Sequence, residues 1–319
     1  MKKIVALVFI ISFTAFAKTN TVKPSFILKT SAGNTDAVYS NGKLYVGTEL
    51  GTVEIFDINK KKEIKKIKIP EIPNFFEEFY PPKVYSVDIK DEKILILAEE
   101  EGGYSSLYIY QKGKLNKIIS KKNKLIIKKA KFISDNLVLL GLLSDEIILF
   151  NTKTKKQLYR KQVSSSSFST FALSPDKNKV AVVTEGGIIY LVNTSTGKTL
   201  KKIENTHVDK IFSIDYKDNK IITGGRDRRV YIHDLKSNIS IRFNADFFVY
   251  AVGLSPSAEK GAYQLNENAD VAIVNLETNK TTEILKGNTA PLTKIIFIDD
   301  TNIITFEESP KIYFWRVTP

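Results

Sequence analysis

Residues 220–235, KIITGGRDRRVYIHDL, decide the fold of this chain. Residues 221–223 are β-branched and predict a strand. The glycine pair at 224–225 and Asp227 supply the chemistry of a tight turn, and residues 230–232 return to the β pattern. The stretch is therefore predicted to be a strand, a turn and a second strand, and six other stretches of the chain can be aligned with it.

The same pattern recurs with a nearly constant period. Each unit has an equivalent position near the end of its last strong strand. In chain order this position is occupied by Phe56, Tyr110, Phe150, Val192, His233, Val274 and Trp315. Successive positions are 54, 40, 42, 41, 41 and 41 residues apart, and the one long interval contains the insertion 70–82. A period of about forty residues with several short strands per unit is typical of β-propeller blades.

Helical repeats of similar period are excluded by the same pattern. No stretch keeps apolar residues at i, i+3, i+4 and i+7 over the dozen residues that a helix needs. Runs such as residues 93–98, KILILA, are instead apolar throughout, as expected for strands covered on both faces. The sequence predicts an all-β chain with a single seven-bladed β-propeller over residues 18–319.

The reference unit, residues 206–235, resembles one WD40 repeat. His207 stands where that family has the histidine of its Gly-His pair, and Asp227 matches the turn aspartate. His233-Asp234 occupies the Trp-Asp position. The resemblance covers nearly all of residues 18–319 but is degenerate outside this unit.

The resemblance implies a buried hydrogen-bonded network in the fifth blade. Its members are His207, Thr223 and Asp227, which we expect to be structural residues. Only this unit keeps both the histidine and the turn aspartate, so apolar packing is expected to replace the network in the other blades.

The ends of the chain predict how the ring closes. After Val317 only two residues remain, so the seventh unit lacks its outer strand. Conversely, residues 24–30, PSFILKT, have strand character and no blade of their own. We expect this N-terminal segment to pair with the last blade.

Residues 1–17 have the pattern of a signal peptide. Lys2 and Lys3 precede an apolar stretch, and Ala15-Phe16-Ala17 is a small-x-small cleavage site. An uncleaved N-terminal anchor is the alternative, although the stretch is short for a membrane span. We expect export to the periplasm, cleavage before Lys18 and no stable membrane insertion.

Lysines accumulate in the predicted outer strands and their flanking turns, at residues 60–68, 112–131, 153–161 and 198–202. The net charge of +13 could indicate a basic rim for nucleic acid or acidic lipid. Lysine on edge strands also prevents edge-to-edge pairing of sheets, and the lysines are spread over four blades. We therefore predict edge protection and no nucleic-acid partner.

The insertion at residues 70–82 is the first candidate partner-binding segment. It joins one blade to the next and is flanked by prolines, which stiffen a loop. Exposed aromatic residues on a stiff loop are common anchors of protein interfaces, whereas folding down onto the ring is the alternative. The candidate residues are Phe75, Phe76, Glu77, Glu78, Phe79 and Tyr80.

A second candidate lies in the turn of the fifth unit, which contains Arg226, Arg228 and Arg229. Residues 99–101 form an acidic run in the equivalent turn of the second unit. All these connections are expected on one face of the ring, acidic on one side and basic on the other. Such a face could orient a partner, although exposed turn charges are also common.

Motifs for catalysis are scarce. The chain has no cysteine and only two histidines, His207 and His233, both already placed in the fifth repeat. No phosphate-binding loop, EF-hand or nucleophile elbow occurs. We predict a protein that is not an enzyme, with no cofactor and no metal, although scattered residues on a propeller's upper face remain an alternative site.

Among exported propellers, the chain resembles the NapL family of accessory proteins encoded with periplasmic nitrate reductase systems. The resemblance rests on the signal peptide, the size, the lack of cysteine and the opening FILKTSAGNTDAVYSNGKLYVGTELGTVEIFDI. It implies a monomeric, non-enzymatic scaffold with a protein partner, either a periplasmic reductase or its maturation factors. A scaffold for envelope or outer-membrane protein assembly and an enzyme are the alternatives.

Overall fold

The computed structural model describes residues 19–319, and the predicted signal peptide at residues 1–17 lies outside them. From the N-terminus the first strands are β1 (Asn20–Val22), β2 (Phe26–Lys29), β3 (Asn34–Ser40), β4 (Lys43–Thr48), β5 (Thr52–Asp57), β6 (Lys62–Lys68), β7 (Ile72–Pro73), β8 (Phe79–Tyr80), β9 (Val84–Lys90), β10 (Lys93–Glu99), β11 (Ser105–Gln111), β12 (Lys114–Ile119), β13 (Ile127–Phe132), β14 (Leu137–Leu142), β15 (Glu146–Asn151) and β16 (Lys156–Gln162). The remaining strands are β17 (Phe168–Leu173), β18 (Lys179–Thr184), β19 (Ile189–Asn193), β20 (Thr199–Ile203), β21 (Ile211–Lys217), β22 (Lys220–Gly225), β23 (Arg229–Asp234), β24 (Ile239–Asn244), β25 (Val252–Leu254), β26 (Lys260–Gln264), β27 (Val271–Asn275), β28 (Lys280–Leu285), β29 (Leu292–Phe297), β30 (Asn302–Glu307) and β31 (Lys311–Arg316). Two short 3-10 turns lie at Glu101–Gly103 and Lys121–Asn123.

The strands form seven blades, which confirms the predicted seven-bladed propeller. From the inner to the outer strand, blade 1 is β3 to β6, blade 2 is β9 to β12 and blade 3 is β13 to β16. Blade 4 is β17 to β20, blade 5 is β21 to β24 and blade 6 is β25 to β28. The quoted stretch KIITGGRDRRVYIHDL supplies the two middle strands of blade 5.

Blade 7 contains β29, β30 and β31 from the C-terminus and takes β2 as its outer strand. The pairing of β2 with β31 is antiparallel and runs from Phe26↔Phe314 to Lys29↔Lys311. The closure predicted from residues 24–30 is therefore the observed arrangement. The side-chain amide of Asn34 reinforces it by donating hydrogen bonds to three backbone carbonyls of blade 7.

The N-terminal segment also has a role that the sequence did not predict. Strand β1 pairs in parallel with β28, from Asn20↔Glu283 to Val22↔Leu285, and becomes a fifth strand of blade 6. The side chain of Val22 packs against the hydrophobic core between blades 6 and 7. Residues 20–29 thus attach to two neighbouring blades.

Burial is greatest in the middle strands, such as β14, and least in the outer strands, such as β6. In β14, LVLLGL, every residue after the first is buried, because neighbouring blades cover both faces. In β6, KEIKKIK, only Ile67 is buried. The lysines of the outer strands therefore lie at the rim, on the edges where unwanted strand pairing would occur.

The free edges of the inner strands meet around a central channel, where carboxylates bridge consecutive blades. Asp36 on β3 accepts a hydrogen bond from the Val87 backbone N–H on β9 (3.0 Å). Asp88 accepts one from Phe132 (2.7 Å) in the same way. These bonds satisfy backbone donors that no neighbouring strand can reach, so they help to hold the blades in place.

Candidate functional site

The connection between blades 1 and 2 lies on one face of the ring, next to the turn between the middle strands of blade 2. The Tyr80 hydroxyl donates to Glu99 Oε1 (3.1 Å), and the Lys83 backbone N–H donates to Glu99 Oε2 (3.2 Å). We call this face of the ring the upper face. It carries all connections between blades and all turns between the two middle strands of a blade.

The insertion at residues 70–82 folds into a small hairpin, with β7 and β8 as its strands. Asn74 organises the tip, because its Oδ1 accepts hydrogen bonds from the backbone N–H groups of Phe76 (2.8 Å) and Glu78 (3.0 Å). Glu77 has a positive φ of 64°, which allows the chain to reverse. An asparagine that bonds to its own following backbone is a common way to fix a turn.

The hairpin presents its phenylalanines to solvent. Phe75, Phe76 and Phe79 are 93%, 78% and 68% exposed. The rings of Phe75 and Phe76 contact each other edge to face, with centroids 5.6 Å apart. Of the two alternatives left open by the sequence, the structure has the exposed arrangement. Tyr80 is half-buried, and its pKa is raised by burial and by the nearby Glu99.

Three further exposed hydrophobic residues lie on the upper face of blades 1 to 3. They are Leu50, Ile126 and Leu143, and the last two lie side by side through a backbone hydrogen bond. We refer to these three residues and the three phenylalanines together as the hydrophobic arc. Within residues 19–319, the other exposed large hydrophobic residues are Val208 beside the arginine-containing turn of blade 5 and, on outer strands, Ile27, Ile64, Leu158, Leu200 and Ile239. Sequence reasoning missed Leu50, Ile126 and Leu143. The only indication in the sequence is that each is an apolar residue in a polar turn or connection.

The acidic run beside the arc is partly neutralised. Glu100 forms an ion pair with Lys117 (2.8 Å), and Glu101 pairs with Lys121. Glu77 and Glu78 form no ion pair with any residue of the described chain. The arc therefore has an acidic border on the side of the hairpin.

The arginine turn is on the same upper face, in blade 5. Arg226 lies 3.6 Å from Asp209, and Arg229 donates a hydrogen bond to the backbone carbonyl of Thr206 (3.3 Å). Arg228 sits in the left-handed region with φ 60°, as expected for the tight turn. A shallow depression lies beside this turn, lined also by Phe247. The acidic and basic clusters therefore lie on one face of the ring, as expected from the sequence.

The polar network of blade 5 lies beneath the arginine turn. His207 is hydrogen-bonded through Nδ1 to Asp227 and through Nε2 to Thr223, both at 3.0 Å. Asp227 also accepts from the Val208 backbone N–H (3.0 Å). Burial raises the pKa of Asp227, but the hydrogen bonds from His207 and the backbone outweigh it, so the pKa lies below its usual value. These contacts tie the connection between blades 4 and 5 to the middle strands.

The expectation that apolar packing replaces this network in all other blades is wrong. In blade 7 the Trp315 indole N–H donates to Thr305 (2.9 Å), and the Thr305 hydroxyl donates to Asn288 (2.7 Å). In blade 1 the buried carboxylate of Glu54 accepts from Thr52 (3.0 Å). Buried hydroxyls need partners whichever residue supplies them. In the sequence, the network of blade 7 is indicated by Thr305, which lies two periods of 41 residues after Thr223.

The second histidine is also inside blade 5. His233 Nδ1 is hydrogen-bonded to Ser240 Oγ (2.8 Å), and burial, followed by electrostatic interaction with His207 and Lys201, lowers its pKa to about 3. It is therefore neutral at physiological pH. Among residues 19–319, no group of three or more His, Asp or Glu side chains is arranged to hold a metal ion.

No protein-family model matches this chain, and no curated protein matches it in sequence. Within the described part, no helix has both the length and the apolar character that crossing a membrane requires.

Proposed function

We propose that this propeller is a non-catalytic interaction scaffold that binds a protein partner through the hydrophobic arc. The observation that carries the proposal is the exposure of Phe75, Phe76 and Phe79 on a hairpin whose backbone is fixed by Asn74. Exposed aromatic residues cost free energy in water, and a preorganised hairpin loses little entropy when it binds.

The surroundings of the arc favour a protein as its ligand. Aromatic anchors bordered by polar and charged side chains are the usual composition of a protein interface. Here Glu77 and Glu78 form the acidic border, and the arginine turn of blade 5 lies across the ring. This separation of charge supports oriented encounter with a partner whose surface carries the complementary charges.

The partner that we propose is a component of a periplasmic nitrate reductase system, either the reductase or one of its maturation factors. The proposal rests on the resemblance of the sequence to the NapL family and on the predicted signal peptide. In this view the chain is exported, acts as a monomer and has no cofactor of its own. Envelope or outer-membrane protein assembly is the alternative role, and an enzyme that uses the upper face is another.

Replacing the three phenylalanines by serine should abolish partner recovery. Interface anchors of this kind each contribute on the order of 2 kcal/mol, so the triple variant F75S/F76S/F79S should lose more than 100-fold in affinity. The measurement is a native pull-down from periplasmic extract with the tagged propeller, followed by mass spectrometry and titration of the recovered partner. The matched control is I64S/L158S/L200S, which removes three exposed hydrophobic residues from the outer strands.

The identity of the recovered protein decides between the roles. A reductase or its electron donor supports the nitrate reductase role, whereas outer-membrane assembly proteins support the alternative. A tight small molecule or metal retained through purification supports the enzyme. Equal recovery by the wild type and the F75S/F76S/F79S variant would contradict the use of the arc.

Export has its own test. Amino-terminal sequencing of the protein purified from its native host should begin at Lys18, because cleavage is predicted after Ala17. The measurement needs only protein expressed with its own N-terminus, and fractionation of periplasm from cytoplasm serves as the control. Finding Met1 at the terminus would contradict the cleaved signal peptide.

A further inference from the structure

The central channel contains a charged cluster that the proposed scaffold role does not use. It encloses about 420 Å³ and is lined by the inner strands of all seven blades. A cavity of this size is at the lower end of the range for small-molecule pockets. Its charged side chains come mainly from blades 1, 2, 3 and 7.

Two of the channel lysines have carboxylate partners. Lys294 on β29 donates a hydrogen bond to Asp36. Lys131 on β13 lies 3.8 Å from Asp36 and 3.5 Å from Asp88. These two ammonium groups and two carboxylates balance in charge.

A third lysine, Lys129, has no such partner. It lies two residues before Lys131 on β13 and therefore on the same face of the strand. Its Nζ donates a hydrogen bond to Thr170 Oγ1 on β17 (2.9 Å), and no carboxylate of residues 19–319 lies within 4.0 Å of it. Burial, followed by repulsion from Lys294, lowers the pKa of Lys129 to about 7 even though Asp36 attracts it.

The channel carboxylates are held by other groups and are not directed at Lys129. Asp36 and Asp88 each accept a backbone N–H of the next blade, as described above. Asp215 accepts the Leu254 backbone N–H (3.0 Å) and pairs with Lys217 (3.6 Å). An ammonium group that faces a cavity without a counter-ion is a site for an external anion.

We propose that the central channel binds a small oxyanion, of the carboxylate, sulfate or phosphate class, with the Lys129 ammonium as its principal contact. Thr170 assists, because its oxygen accepts from Lys129 and its own hydrogen remains available to the anion. Ser213 on the next blade is placed similarly, since its oxygen accepts the Val252 N–H (3.2 Å) and its hydroxyl hydrogen is not used by that bond.

The test is calorimetric titration of residues 18–319 with sodium phosphate, sodium sulfate and sodium succinate, each at ionic strength matched with sodium chloride. At least one anion should bind saturably to the wild type and at least tenfold more weakly to Lys129→Met, which keeps an apolar stem of similar length. Lys153→Met removes a lysine of the same blade from a solvent-exposed turn and should bind as the wild type does. The three titrations distinguish phosphate, sulfate and carboxylate as the preferred class.

Two further measurements separate a binding role from a structural one. Thr170→Val, which keeps the shape of the side chain, should also weaken binding. Near pH 7.5 the anion should draw a proton onto Lys129, so the binding heat should depend on the ionisation enthalpy of the buffer in the wild type and not in Lys129→Met. Without anion, Lys129→Met should melt no lower than the wild type, because the substitution removes a charge that has no counter-ion.

Three outcomes would overturn the proposal. The first is no saturable binding of any of the three anions by the wild type. The second is binding that survives Lys129→Met unchanged, and the third is equal weakening by Lys153→Met. Because none of these measurements involves the hydrophobic arc, they are independent of the proposed scaffold role.

Discussion

Removal of residues 24–30 should lower the melting temperature of the whole propeller by several degrees or more, since each kcal/mol corresponds to about 2 to 4 °C in a chain of about 150 to 250 residues and to less in a longer one. The deletion takes β2 from blade 7, exposes the edge of β31 and opens the ring. The ring of Phe26 stacks on Phe314 with centroids 4.1 Å apart, and this contact is lost as well. Thermal unfolding followed by circular dichroism measures the effect.

A point substitution isolates the contribution of the strand. Leu28 is 9% exposed and packs in the core between blades 7 and 1, whereas its neighbour Ile27 is 46% exposed on the other face of β2. Leu28→Ala should cost about 2 to 4 kcal/mol through the cavity it leaves, and Ile27→Ala should cost well under 1 kcal/mol. Equal melting temperatures for the two variants, or an unchanged cooperative transition of the deletion, would show that β2 does not close the ring.

Asp36→Ala should destabilise the protein by about 3 to 5 kcal/mol at pH 7, because removing one partner of a buried ion pair leaves the other charge uncompensated. The substitution leaves Lys294 and Lys131 in the channel with one carboxylate fewer. It also removes the acceptor of the Val87 N–H. Guanidinium unfolding at equilibrium measures the loss.

Asp36→Asn separates the charge from the hydrogen bond. Its side-chain oxygen can still accept the Val87 N–H, so it should be less destabilising than Asp36→Ala. Adding Lys294→Met to Asp36→Asn should recover part of the loss. If both Asp36 variants are as stable as the wild type, the channel ion pairs contribute nothing to folding.

The same residue predicts a dependence on pH. Burial raises the pKa of Asp36, but the positive charges of Lys294, Lys131 and Lys129 outweigh burial and hold the pKa well below its usual range. A depressed pKa in the folded state means stability that is present above the unfolded pKa of about 4 and is lost progressively as the pH falls from there to the folded pKa. The difference in unfolding free energy between the wild type and Asp36→Asn should therefore begin to shrink below about pH 5 and should still be shrinking at about pH 3. A difference that stays constant would contradict this assignment.

The local pattern of strand-forming and turn-forming residues was sufficient to predict the architecture. The alternation of β-branched residues and turn residues in 220–235, repeated at a period near 41, predicted the number of blades. The missing outer strand of the seventh unit and the unassigned strand at residues 24–30 predicted the closure. The turn chemistry around Asp227 also placed the arginines on the upper face, because the direction of a turn follows from the order of the strands.

Other features depend on contacts between residues that are distant in sequence. Whether Phe75 is exposed or covers the ring is decided by the Asn74 turn and by the neighbouring blade surface. The three residues of β1 are too few to show a sequence pattern that would predict its parallel pairing with β28. The polar network of blade 7 uses an asparagine where blade 5 has His207, so only Thr305, at the position equivalent to Thr223, indicates it in the sequence.

The sequence by itself determined the all-β class, the seven repeats and the segment that closes the ring, because these follow from periodicity along the chain. Only the tertiary structure decided which side chains are exposed together on the upper face and which charges meet in the channel. Asp36, Lys129 and Lys294 belong to blades 1, 3 and 7, and in the sequence Lys129 falls among lysines that were predicted to lie in an outer strand and its flanking turns. Closing the ring brings them together, and the electrostatics of the channel depend on that closure.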